Sequence, residues 1–456
     1  MKRSNEDMLN GPLLGGIIRY TLPIVLSGIL QLLFNAADLM VVGQFCGSVS
    51  VGAVSSTGAL SNLVVNLFMG ISVGAGVCVA HGLGGKREEE VRRTVHTAIP
   101  VSILSGLILT VLGIAMCTPM LRLMSTPAEV LPLSALYMKI YFLGITANIL
   151  YNFCASILRA AGDTKGPLLY LTAAGVINVL LNLLFVIVFD LNVAGVALAT
   201  TLSQTVSAVL VVRALIRRTD ACQLRWREMK IYRPQLVKMI EIGLPAGVQG
   251  SMFSISNVII QSAVNSFGSA FIVAGNGAAS NIEGFVYISM NALNQTAVNY
   301  IGQNLGARQF DRVKKIFRVC LLSVTVVGLV MGPAAYFAAP WLLRFYIPDS
   351  PEAIAYGVLR MGLIALPYFV CGLMDVTTGA LRGLGSSFVP MVVTVMGVCV
   401  LRVVWVFTIF QVPRYHTPQC LYLSYLVSWA LTFGVEFVLF YRVLRKKQQE
   451  AQEFMP

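Results

Sequence analysis

Five ionisable side chains stand inside long apolar stretches of the sequence: Asp38, Glu283, Asp375, Glu436 and Arg402. A charge placed in hydrocarbon costs at least about 2.5–3.5 kcal/mol, so each is a candidate for handling an ion or a substrate. Asp38 ends a polar stripe of Ser27, Gln31, Asn35 and Asp38, whose steps of four, four and three residues keep to one face of a helix. A carboxyl withdrawn from water favours its neutral form, which suits reversible proton binding. A sodium ion instead needs the charged form and several neutral oxygens around it. Asn178 and Asn182, four apart in a later apolar run, are placed to supply those oxygens or to fix the carboxyl.

A second stripe runs through Asn276, Ser280, Glu283, Tyr287, Asn291 and Asn294, again at helical spacing. Arg402 falls at a comparable depth in the same half of the chain. A structural pair between Glu283 and Arg402 is expected, with a role for Glu283 in substrate or ion binding as the alternative. Asp375 shares a face with Tyr368, Cys371 and Gly379 and is expected to line a cleft. Glu436, six residues before Arg442, is expected to reach a headgroup region. Pro23 and Pro245 each remove a helix hydrogen bond and mark places where a helix can bend.

No catalytic constellation accompanies these residues. The nine cysteines are scattered without a CxxC pair, the three histidines form no HExxH, and GLGGKREEE lacks the spacing and the Ser/Thr of a phosphate loop. Diphosphate-binding DDxxD runs are absent too. Neither an enzyme activity nor a cofactor is expected, only a coupling ion.

The elements that carry these residues are apolar spans. Of 456 residues, 57% are apolar and 12% charged, against roughly 45–50% and about 25% in soluble chains. Runs of the ~20 residues needed to cross a bilayer recur twelve times between residues 15 and 441, leaving no room for a soluble domain. The first run is too long for a signal-peptide core, so cleavage is not expected. With the N-terminus in the cytoplasm, 27 Lys and Arg fall on the inner side and five, including Arg360, on the outer side. The formal charge of +13 thus reports orientation, not nucleic-acid binding.

Matching segments recur across the middle of the chain. HGLGGKREEEVRR at 81–93 corresponds to QNLGARQFDRVKK at 303–315, and TLPIVLSG at 21–28 to GLPAGVQG at 243–250, both 222 residues on. LRAAGDTKGP at 158–167 corresponds to LRGLGSSFVP at 381–390, so Asn152 and Asp375 are repeat mates. Six spans per half give a parallel repeat. The expected layout is a cytoplasmic segment 1–14, a first lobe 15–215, a basic connector 216–239, a second lobe 240–441 and a tail 442–456. Two lobes around a cleft, without an ATP site, suit an ion-driven secondary transporter.

The chain resembles the multidrug and toxic compound extrusion family, in particular its bacterial DinF-like and MepA-like branches. The resemblance rests on LPIVLSGILQLLFNAADLMVVGQF, GISVGAGVCVAHGLG, LRAAGDTKGP, GVALATTLSQ, GQNLGAR and GALRGLGSS and covers essentially the whole sequence. It implies an all-α, V-shaped exporter of twelve transmembrane helices in two six-helix lobes. That exporter sits in the cytoplasmic membrane of a bacterium with both termini inside, and exchanges cationic or amphipathic compounds for protons or sodium. The family's helix-one Asp falls on Asp38 and its kink proline on Pro23. Its helix-five Asn and second carboxylate fall on Asn178 and Asn182, and this amide in place of a carboxylate tilts the expectation to proton coupling. Thr200 or Thr201 is expected to complete the cluster. Another branch couples sodium through carboxylates in helices seven and ten. Asp375 resembles the latter, Glu283 keeps this route open, and span seven offers Asn257, Gln261 and Asn265. Gln31, Asn35, Asn152, Glu283, Tyr287 and Asp375 are the expected cleft residues. Membrane lipids are the expected surroundings and a monomer the expected state. A lipid-linked oligosaccharide flippase is the other transporter class considered; it would need basic cleft residues, for which Arg402 is the intramembrane candidate.

Overall fold

The structure is a computed structural model that describes residues 8–123, 126, 128–348 and 350–453. Its long helices, in chain order, are α1 Leu13–Phe45, α2 Ser48–Gly84, α3 Glu88–Leu123, α4 Leu131–Ala160, α5 Lys165–Leu183, α6 Asn192–Ile216, α7 Arg233–Asn265, α8 Ala270–Gly306 and α9 Phe310–Tyr346. Then come α10 in two pieces, Pro351–Ile364 and Tyr368–Gly383, α11 in two pieces, Phe388–Thr394 and Leu401–Phe407, and α12 Pro418–Glu453. Among the described residues, nine helices are long and apolar enough to cross a membrane, and ten when the two pieces of α10, bent by 50°, form one span. The remaining two, α7 and α8, have 33 and 37 residues, and the polar stripes seen in the sequence dilute their apolar character. Expected as twelve spans, the chain is an all-α membrane fold.

Apolar side chains lie on the outside as well as the inside. Leu104, Leu107, Ile108, Val111 and Leu112 of α3 and Leu322, Val326, Leu329 and Val330 of α9 are exposed over contiguous turns, the surface that lipid rather than water covers.

The helices sort into two compact units. Unit one is built from Leu22–Gly247, and unit two from Met8–Thr21 together with the chain from Val248 onward. Two helices therefore change unit along their length, α1 beside Pro23 and α7 beside Pro245, and both continue as helix through the proline. In unit two the start of α1 is seated on α8: Thr21 Oγ1 lies 2.8 Å from Thr296 Oγ1, and the Tyr20 ring meets Tyr300 edge-on at 5.4 Å.

In unit one the start of α7 is seated on α2 through two small-xxx-small pairs, Gly70/Gly74 and Gly243/Gly247, the spacing that lets helix backbones touch within a membrane. A methyl group added at Gly70 would lie 2.1 Å from the Gly247 nitrogen. The core of unit one joins α3, α4 and α6 around Phe142, Ile145, Phe153 and Leu215.

The basic connector is docked rather than loose. Arg225 N–H donates to His96 Nε2 at 3.1 Å, while the other ring nitrogen lies 2.7 Å from the Arg92 carbonyl. Nδ1 therefore carries the proton. Nearby, Tyr232 N–H donates to Thr97 Oγ1. Asp220 pairs with Arg218, and although partial burial pushes its carboxyl up, the guanidinium holds it below the usual carboxylate range.

Candidate functional site

The α1 stripe faces into unit one, where a cavity of about 320 Å³ opens among α1, α4, α5 and α6. Gln31, Asn35 and Asp38 line it from α1, Asn152 from α4, Asn178 from α5 and Thr200 from α6. Asp38 closes a ring of polar contacts there. Its Oδ1 accepts from the Asn182 amide and its Oδ2 from Thr200 Oγ1 at 3.4 Å. Asn182 also donates to Asn178 Oδ1 at 3.3 Å, and Asn178 donates to Thr200 Oγ1 at 3.4 Å. The two asparagines, one turn apart, thereby bridge both oxygens of one carboxyl through neutral groups.

Thr200, not Thr201, completes the cluster; Thr201 donates instead to the Ile140 carbonyl. Asn182 Oδ1 is buried without a partner, so the amide spends its donors on the ring and leaves its acceptor free. Asn152 lines the same cavity but bonds to Asn148, at 3.1 Å to its side-chain oxygen. No cluster of three or more His, Cys, Asp or Glu is present among the described residues, so the ring holds one carboxyl and neutral donors.

Sequence spacing carried a further signal that the α1 stripe overshadowed. Tyr137, Tyr141, Asn148 and Asn152 on α4, and Thr200, Ser203, Gln204 and Ser207 on α6, line the cavity and recur at helical intervals. Phe34 reaches the wall because Gly175 has no side chain; a methyl there would lie 1.8 Å from the ring.

Unit two holds a different arrangement, and here two expectations are corrected. Glu283 pairs with Arg360, not Arg402. Arg360 Nε and Nη2 donate to its two oxygens at 3.0 and 2.8 Å, a bidentate geometry. Both side chains are buried, at 5% and 8% exposure. The sequence counts Arg360 with the outer-side bases, near the end of its span, yet α10 begins at Pro351, so Arg360 lies more than two turns inside its first piece. Arg360 Nη1 also donates to Asn276 Oδ1 at 2.6 Å, which accepts from Tyr422 at 3.2 Å. Asn276 in turn donates to Gln261, and Gln261 to Asn265, while Asn257 is exposed.

Glu436 is the second correction: expected near headgroups, it is fully buried. Thr378 and Thr394 each lie 2.8 Å from one of its oxygens, so helix α12 places it inward towards α10 and α11. Asp375 is buried as well. Tyr287 hydrogen-bonds its carboxyl, Asn294 donates to its backbone carbonyl at 2.7 Å, and its Oδ2 has no partner. Glu283 and Asp375 thus belong to separate networks. Pro23 stands within α1, where Ser27 Oγ caps the Pro23 carbonyl at 2.8 Å.

Comparison with known proteins agrees with this architecture. The MatE family model matches residues 23–184 and 245–408, two stretches whose starts are again 222 residues apart. The chain is similar to the probable multidrug resistance protein YoeA of Bacillus subtilis, 27% identical over 441 residues that cover 94% of each chain. Similarity also extends to the probable multidrug resistance protein NorM of Thermotoga maritima, at 25% identity over 85% of this chain and 83% of that one. The multidrug export protein MepA of Staphylococcus aureus is 21% identical over 82% of this chain and 83% of its own.

Among solved structures, a MATE transporter in the bent conformation superposes with a TM-score of 0.90 at 18% identity, covering 98% of this chain and 99% of that one. The outward-facing form of a multidrug resistance MATE transporter gives 0.89 at 18% identity, over 97% and 98%. At that identity the superpositions speak for the fold, while the sequence relatives and the family match speak for descent. The chain, a multi-pass membrane transporter and not an enzyme, belongs to the MatE family, the multidrug and toxic compound extrusion transporters.

Proposed function

We propose that this protein exports cationic or amphipathic organic compounds in exchange for protons, with Asp38 as the group that alternately holds proton and cargo. The observation that carries the reading is the closed ring of Asp38, Asn182, Asn178 and Thr200 at the wall of a cavity large enough for a small organic molecule. An ionised Asp38 accepts from the Asn182 N–H. A protonated Asp38 must donate, and the free Asn182 Oδ1 is the acceptor that a half-turn of the amide brings round. The amide therefore offers the carboxyl a donor in one protonation state and an acceptor in the other, and the negative charge that attracts a cation exists in only one of them. Alternating access follows when the helix carrying Asp38 bends at Pro23, where α1 passes from one unit to the other.

Sodium in place of the proton has less support. A cation at Asp38 would find one carboxylate and would have to displace the Asn182 N–H that points at it. A flippase reading, which needs basic residues in the cleft, has less support: Glu283 neutralises Arg360, and Arg402 is buried against Ser428, Tyr425 and Trp429 rather than lining the cavity of unit one. Bacterial relatives and the charge distribution support a cytoplasmic membrane location with both termini inside; with Arg360 buried, 27 basic residues face four.

Ethidium efflux from proteoliposomes under an imposed proton gradient tests the reading. Asp38→Asn is expected to fold like the wild type and to reduce gradient-driven efflux to the level of protein-free vesicles. Wild-type efflux in that variant would remove Asp38 from the mechanism.

A further inference from the structure

The turn between α8 and α9 is basic in a way that its counterpart between α2 and α3 is not. In unit one, residues 86–93 read KREEEVRR and settle their charges locally. Arg87 pairs with Glu90 at 2.7 Å, Arg92 with Glu89 at 2.7 Å, and Lys238 closes on Glu90 at 2.8 Å. The repeat mate in unit two, RQFDRVKK at 308–315, has Phe310 where the first copy has Glu88 and Arg312 where it has Glu90. Its one acid, Asp311, is taken by Lys314 at 3.2 Å. Among the described residues no carboxylate pairs with Arg308, Arg312 or Lys315.

These three bases line a cleft of about 400 Å³, which Gln448 borders from α12. Arg312 is fixed there by the start of the chain. Its Nη2 donates to the Gly11 carbonyl at 2.6 Å and lies 3.4 Å from the Met8 carbonyl, acceptors that orient the guanidinium without answering its charge. Arg308 and Lys315 are exposed.

The cleft continues into an apolar surface. Lys315 begins a stripe on α9 in which Arg318, Leu322, Val326 and Leu329 follow at steps of three, four, four and three, all of them exposed. From Arg318 to Leu322, base gives way to apolar side chain over one turn, about 6 Å, which matches the roughly 5–8 Å depth of one headgroup layer. A free phosphate would use the bases alone, whereas a lipid uses the bases and the stripe together.

We propose that this cleft binds the phosphate of an anionic phospholipid, with Arg308, Arg312 and Lys315 around the headgroup and the acyl chains along Leu322 and Val326. The guanidinium groups offer planar pairs of donors to phosphate oxygens, and Lys315 adds a point charge. A zwitterionic lipid carries its own cation into the same space and forfeits much of that attraction. Assigning the site to the inner leaflet rests on the topology proposed above, with both termini inside; the binding itself does not.

Native mass spectrometry of the delipidated full-length protein tests it, with phosphatidylglycerol and phosphatidylcholine of identical acyl chains supplied together. The wild type is expected to retain phosphatidylglycerol in preference. Each base removed should cut that preference about fivefold, the factor carried by one basic residue at an anionic surface. Arg308→Gln combined with Lys315→Gln changes exposed side chains only and should lose most of it. Lys86→Gln, at the repeat mate of Arg308, should leave the preference unchanged. So should Asp38→Asn, which separates this result from the fate of the proton reading.

Equal retention of the two lipids by the wild type, or an undiminished preference in the double variant, would overturn the site. Inorganic phosphate is the third arm. At equal concentration it should not displace phosphatidylglycerol, because it has no chains to lay on the stripe; displacement would reassign the cleft to a free phosphate and contradict the lipid proposal.

Discussion

At the scale of single residues, what distinguishes Asp38 is the neutrality of everything that touches it. Asn182 and Thr200 hold its two oxygens without supplying a charge, so the ring tolerates both the ionised and the protonated carboxyl. Asn182 makes the closer contact and is the amide with a free oxygen; Thr200 is 3.4 Å away. Asn182→Ala is accordingly expected to cut gradient-driven ethidium efflux about tenfold or more, the effect of losing a hydrogen bond to a charged group of ~1.5–3 kcal/mol. Thr200→Ala should cost less than half of that in free energy, measured in the same vesicles.

Glu283 and Arg360 give the contrasting case, a carboxylate locked by a bidentate partner. Glu283→Gln leaves a buried guanidinium unpaired and should lower stability by about 3–5 kcal/mol, whereas the double substitution Glu283→Met with Arg360→Met should fall within ~1–2 kcal/mol of the wild type. Denaturation of both variants beside the wild type checks the ordering; equal losses would mean the pair contributes through shape rather than charge.

Among the elements, the contact between α2 and α7 depends most on what is missing from the side chains. Gly70 and Gly74 face Gly243 and Gly247 so closely that the backbones touch, and Gly70→Ala must push the helices apart. An expected loss of about 1–3 kcal/mol, read as a lower melting temperature, follows from overpacking; an unchanged melting temperature would show that α7 can yield.

Helix periodicity made the stripes on α1 and α8 legible in the sequence, because polar groups spaced by three and four inside apolar runs have few places to go. Breaks within spans were not legible. α10 interrupts between Ile364 and Tyr368, and α11 passes through a π-helical stretch at Val395–Val400, neither of which an apolar run announces. The start of a span was not legible either: α10 begins at Pro351, so Arg360, expected at the outer side, lies inside and takes the partner expected of Arg402. Glu436 was misjudged for a related reason. Its distance in sequence from Arg442 is short, but the tail of α12 remains helical to Glu453, so the apolar run ends before the helix does.

For the whole molecule, the sequence repeat and the two compact units describe the same duplication from different sides. Segments 222 residues apart begin the two stretches that the family model matches, and each begins at a proline, Pro23 or Pro245. The halves have since diverged in charge. Where the cavity of unit one is lined by a single carboxyl among amides and hydroxyls, unit two buries Glu283, Asp375 and Glu436 with Arg360 and Arg402, and Arg382 is half-buried. On the proposed reading, proton exchange and cation binding belong to the first, while the second keeps the fixed ion pair of Glu283 and Arg360. Surface bases that orient the helices dominate the net charge of +13, which therefore carries no information about cargo.

The central claim is an exchange of protons for an organic cation at Asp38, and simultaneous recording of both fluxes tests it most directly. Proteoliposomes in sodium-free buffer, with a pH indicator inside and ethidium as cargo, should show proton movement opposite to ethidium movement in the wild type. In Asp38→Asn both movements should vanish together. Ethidium transport that persists without proton movement, or that requires sodium and ignores the proton gradient, would contradict the account.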